Sequence, residues 1–144
     1  MASNSTVFNS LATASPSSTG NVSANLGLVC SNQNASVTFG ANGSTTTIAT
    51  IPAGAQILFI NIDVTTAFNA GTTNTISVGV AGAATQFVSA TAVGTTGRAS
   101  VATTGNYANW VNVGTADVTI IATYNQTGTV ASAGAATITV VYDF

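Results

Sequence analysis

Charge is almost missing from this chain. Of its 144 residues, 3% are Asp, Glu, Lys or Arg, where an average soluble protein carries about 25%. The charged side chains are Asp63, Arg98, Asp117 and Asp143, and there is no His, Glu or Lys. A hydroxyl nucleophile needs a base beside it, so the lack of His and Lys excludes a Ser-based catalytic triad. General acid–base chemistry is left with three Asp, three Tyr and Cys30. The Asp residues fall on polar positions of three separate expected strands and read as rim carboxylates. No Asp-x-Asp-x-Asp loop offers a calcium site. Neither an enzyme nor a metal or cofactor is expected.

Other absences narrow the field further. One cation, Arg98, displaces almost no counterions from a phosphate backbone, so nucleic acid is not an expected partner. Arg98 itself reads first as half of an ion pair with an Asp. No apolar run approaches the roughly 20 residues of a membrane-spanning helix, so no membrane partner is expected. The opening MASNSTVFNSLATASPSSTGN has no basic n-region and no apolar h-region, so it does not read as a signal peptide. Cys30 is the only cysteine and reads as a small apolar residue in or near the core. Asn-x-Ser/Thr triplets such as Asn34-Ala-Ser36 are common by chance in a chain this rich in those residues. Pieces such as Val78-Gly-Val-Ala-Gly82 lack the Gly-Lys-Ser/Thr of a phosphate loop and read as turns. A net charge of −2 gives little repulsion between copies, which favours association with itself or with a larger body.

What is present is material for β-strands. Hydrophobic residues make up 46% and the mean hydropathy is +0.47. Thr and Val, both β-branched, dominate, while strong helix formers are scarce. Residues 1–34 show no sustained period. Pro16 and Gly20 argue against a long helix there, so this stretch reads as an extended N-terminal arm with one short strand near Leu26–Cys30. From residue 35 to 144 the pattern has period two. Strands are predicted at Val37–Phe39, Thr45–Ile51, Gln56–Thr65, Thr75–Val80, Thr85–Val93, Tyr107–Val113, Asp117–Tyr124 and Ala136–Phe144, separated by Gly and Asn turns. In Gln56–Thr65 the alternation places Leu58, Ile60, Ile62 and Val64 on one face and Ile57 and Phe59 on the other. Trp110, Tyr107 and Tyr124 read as core or interface anchors ahead of a sugar platform. The expected fold is all-β, a single jelly-roll-like antiparallel sandwich, with an immunoglobulin-like sandwich second because no Cys pair brackets Trp110.

The segment Ile51–Gly79, IPAGAQILFINIDVTTAFNAGTTNTISVG, resembles one found in small structural proteins of tailed bacteriophages, including jelly-roll capsid decoration, or cement, proteins. The resemblance is sharpest over these residues and diffuse from there to Phe144. It implies a virion protein made in the host cytoplasm that binds the outer capsid surface across neighbouring major capsid proteins. It also implies self-association, as homotrimers ahead of homodimers. The interface candidates are Phe8 and Leu11 as arm anchors, Phe68 as an apolar loop contact and Arg98 as a pairing charge. Phe68 has a second possible place, folded back over the end of the sandwich. Rival readings are a subunit of a tail or pilus-like filament, and a carbohydrate- or ice-binding module built on Thr45–Thr47 and Thr137–Thr139.

Overall fold

A computed structural model describes residues 30–99, 101 and 106–143. Among these, eight strands form: β1 Ser31–Thr38, β2 Ser44–Ile51, β3 Gln56–Thr66, β4 Thr73–Val80, β5 Ala83–Ala92, β6 Gly97–Arg98, β7 Val118–Thr127 and β8 Ala135–Asp143. They build two four-stranded sheets, ordered β1-β8-β3-β6 and β2-β7-β4-β5. Every pairing is antiparallel. Apart from the β4–β5 hairpin, the chain alternates between the sheets, so that β8 returns between β1 and β3 while β7 returns between β2 and β4. This interleaving is the double Greek key of a jelly roll.

Two inward faces close on one core, and strand alternation decides which side chains enter it. Ala136, Ile138, Val140 and Tyr142 of β8 are buried, as are Ile120, Ala122 and Tyr124 of β7. The strand β3 departs from the expected parity. A register shift between Ile57 and Phe59 inserts Leu58 as an extra residue opposite β8. Ile57 therefore points inward with Ile60, Ile62 and Val64, Leu58 is half-buried, and Phe59 is exposed. A bulge of this kind reverses the alternation on one side of itself.

Two further expectations fail for a shared reason: amide side chains stand in for an apolar pattern. β1 spans Ser31–Thr38 and so begins well ahead of the strand predicted at Val37–Phe39, although SNQNAS has no apolar alternation. It is an edge strand, and inward-pointing Gln33 bonds Thr50 through both its amide atoms and donates to the Tyr142 hydroxyl. The stretch Tyr107–Val113 is not a strand; a short 3₁₀ turn covers Tyr107–Asn109. There Asn106 donates to the Thr85 and Gln86 carbonyls and Asn109 to Gln86. Such side-chain bonds compete with a strand ladder. Trp110 still reaches the core, with its indole N–H on the Phe87 carbonyl at 2.9 Å. Cys30, expected near the core, is exposed.

Candidate interaction surface

At one end of the sandwich the loop 67–72 between β3 and β4 turns its aromatic residue inward. Phe68 is buried, its ring centroid 4.8 Å from that of Tyr124. Of its two possible places, the structure has the one over the sandwich end, which corrects the reading of Phe68 as an outward loop contact. Burial of the ring removes more apolar surface from water than a loop-tip contact would retain. The loop is held by amides. Asn69 Oδ1 accepts from the Ser132 and Ala133 N–H groups, and Asn74 Oδ1 accepts from the Ala70 N–H and the Tyr124 hydroxyl. Beside them Gln126 donates to the Gly40 carbonyl and accepts from the Ala131 N–H and from Tyr124. Burial pushes the Tyr124 phenol above its usual range. This uncharged network closes the end of the sandwich without an ion.

The outer faces are polar but nearly neutral. On the β1-β8-β3-β6 sheet the register stacks Asn34, Thr139 and Asn61 in one rank and Ser36, Thr137, Asp63 and Arg98 in the next. On the other sheet Thr45 is exposed but Thr123 and Ser77 in the same rank are buried, and the following rank is Thr47, Ile121 and Gly79, so hydroxyls do not make a regular exposed array. The carboxylates do not gather. Asp117 accepts from the Ala53 N–H, Asp63 faces Thr137, and Asp143 lies opposite Gln56 at the far end of β8. Among the described residues no group of His, Cys, Asp or Glu could hold a metal ion. No helix among them is long and apolar enough to cross a membrane.

The distinctive feature lies along the β6 side of β3. β6 is two residues long and pairs only with Asp63 and Val64. Beyond it, Ala99 donates to the Ile62 carbonyl and Ile57 donates to the Trp110 carbonyl. Between these two bonds, no described residue pairs with the β3 edge. Backbone groups alternate sides along a strand, so the N–H and C=O of Ile60 point the same way as the Ile62 carbonyl, into this gap. The gap opens into a cavity of about 400 Å³ walled by Phe59, Asn61, Arg98, Val101, Tyr107 and Trp110, among others. Phe59 and Tyr107 are 43% and 60% exposed, and Tyr107 meets Trp110 edge-on at 5.2 Å. The Arg98 guanidinium lies 5.8 Å from the Phe59 ring centroid. Among the described residues Arg98 forms no ion pair, although it faces Asp63 in the ladder. Asn61 Oδ1 is buried without a hydrogen-bond partner. Arg98 was thus legible as the singular charge, and alternation already set Phe59 on the side away from Ile60 and Ile62, whereas the approach of Tyr107 and Trp110 to that side was not legible. Phe8 and Leu11 lie outside the described residues.

Comparison with protein-family models and with curated proteins gave no match. Comparison with solved structures did. A chain of the cyanophage Pam1 capsid asymmetric unit superposes with a TM-score of 0.60 at 20% identity, covering 83% of this chain and 88% of that one. A chain of the acidic-stable capsid structure of Helicobacter pylori bacteriophage KHP30 gives a TM-score of 0.52 at 16% identity, covering 81% and 88%. The jelly roll described here is therefore a fold found in the capsids of two bacteriophages.

Proposed function

We propose that this chain is a non-enzymatic structural protein of a bacteriophage virion that decorates the outside of the capsid and cements neighbouring major capsid proteins, as a homotrimer. The observation that carries this reading is the match of nearly the whole domain to chains of two phage capsids. The physical character of the surface supports it. Ranks of Ser, Thr and Asn exchange hydrogen bonds with a neighbour without the desolvation cost of burying ions. Phe39 and Val130 at one end, and Phe59, Tyr107 and Val111 elsewhere, are exposed apolar residues suited to contact. Phe8, Leu11 and Arg98 remain interface candidates; Phe68 does not, being buried. Synthesis in the host cytoplasm is part of the same reading.

Cosedimentation of the full chain with undecorated capsids tests it. Saturable binding at a fixed ratio to the capsid protein is expected, with little change between low and high salt because the chain has one cation. No binding, together with filaments of the protein alone, would sink the proposal in favour of a polymer.

A further inference from the structure

We infer that Gln33, Asn106 and Asn109 are edge guards: their amide side chains occupy backbone groups on the two outer strands of the β2-β7-β4-β5 sheet and keep copies of this chain from joining by strand addition. The inference concerns how self-association is limited and stands whether or not the capsid reading does. An outer strand carries N–H and C=O groups that can pair with another chain, and proteins usually blunt it with charged side chains, Lys above all, or with Pro. This chain has no Lys, and neither β2, STTTIATI, nor β5, AATQFVSATA, contains a charged residue or a Pro. Short runs of β-branched and apolar residues without charge or Pro are the kind that stack into intermolecular sheets. Another device is needed to protect them, and the structure supplies amides.

An amide side chain carries a donor and an acceptor in one plane, as a peptide group does, so it can stand where a neighbouring strand would. On β2, Gln33 Nε2 donates to the Thr50 carbonyl at 2.7 Å and its Oε1 accepts from the Thr50 N–H at 3.0 Å. Gln33 thus fills both backbone hydrogen-bonding positions of Thr50 at once. On β5 the register passes from Val88 opposite Val78 to Ala83 opposite Val80, so Ala84–Phe87 bulge out against Gly79. In that bulge the Thr85 and Gln86 carbonyls accept from Asn106 Nδ2 at 2.6 and 3.0 Å, and Gln86 accepts again from Asn109 Nδ2 at 2.9 Å. The Phe87 carbonyl is closed by the Trp110 indole. Asn106 is itself held in orientation by the Ser89 hydroxyl, which donates to its Oδ1 at 3.0 Å. Thr50 and Thr85 are exposed, so water would serve the same backbone groups and these bonds add little net stability there. What they do, and water does not, is hold another backbone off.

Assembly kinetics of the full chain test this. Gln33→Ala opens β2, while Asn106→Ala and Asn109→Ala open β5. Each is compared with the unmodified chain by light scattering and thioflavin-T fluorescence, at a temperature where circular dichroism shows all of them folded. One net hydrogen bond corresponds to roughly a fivefold change in population, so thioflavin-positive association of Asn106→Ala should quicken by about fivefold or more. Adding Thr85→Lys to Asn106→Ala should return the rate to that of the unmodified chain, with charge on the edge replacing the amide, and leave the melting temperature where Asn106→Ala put it. Thr95→Lys, which carries the same charge on the loop before β6, should not slow the association. Rates equal to that of the unmodified chain in Gln33→Ala, Asn106→Ala and Asn109→Ala alike overturn the inference. So does a rise that Thr85→Lys and Thr95→Lys affect equally, which would trace it to lost stability or net charge and not to an opened edge.

Discussion

Truncating Phe68 to alanine separates a packing role from an assembly role at the loop between β3 and β4. The side chain is 2% exposed, its ring lies 38° from the plane of Tyr124, and a Cβ built on Gly134 would run into it. The cavity left by Phe68→Ala cannot collapse easily, because Asn69 and Asn74 pin the loop backbone on either side. A buried Phe→Ala change costs about 3–5 kcal/mol, and for a chain of this length about 3 °C of Tm accompanies each kcal/mol, so a fall of roughly 10–15 °C is expected. Circular dichroism melts and urea titrations at one fixed protein concentration measure it, and cosedimentation below the melting range should remain as for the unmodified chain. A stability loss under about 1 kcal/mol, or lost assembly at unchanged Tm, would refute the placement of Phe68 as part of the core.

Replacing Gly134 with alanine should destabilise through the same ring, and also because its φ of 149° lies where L-residues are strained; a double variant with Phe68→Ala should recover part of the loss in a thermodynamic cycle. Because the Tyr124 phenol is raised by burial, its stabilising contribution is full below the unfolded pKa of about 10 and is lost as pH rises through the folded value. Stability curves should therefore fall above about pH 10, and Tyr124→Phe should flatten that fall while costing about 1–2 kcal/mol at neutral pH through the bonds to Asn74 and Gln126. Trp110→Phe should cost about 1–3 kcal/mol in urea titration, since it strips the donor from the Phe87 carbonyl.

Alternation in β7 and β8 was legible because both are central strands with one face in the core, where an apolar residue at every second position is the only workable pattern. The all-β class followed from Thr, Val and the lack of helix formers. Edge strand β1 was hard to see because an edge with one partner tolerates SNQNAS, and the amide of Gln33 does what a buried Val would do elsewhere. The turn at Tyr107–Asn109 was misread as a strand since Asn106 and Asn109 act on the distant β5 backbone, a partner that spacing alone does not disclose. The candidate surface was illegible for a similar reason. Alternation puts Phe59 and Asn61 on the side away from Ile60 and Ile62, but nothing in the spacing discloses that Arg98 and the Tyr107–Asn109 turn come to lie beside them, and the extra residue at Leu58, which turns Ile57 inward, leaves no mark in hydrophobic periodicity.

A molecule fastened by amides in place of ions carries a built-in chemical lifetime. Asn42-Gly43 is the kind of pair in which the backbone nitrogen after asparagine attacks the side-chain carbonyl, releasing ammonia and leaving a carboxylate after hydrolysis. In the folded chain that nitrogen donates to the Tyr124 carbonyl at 2.8 Å, while Asn42 Oδ1 accepts from the Gln126 N–H. Both reactants are thus occupied by the β2-β7 sheet, and conversion at Asn42 becomes a count of how often this end of the sandwich opens.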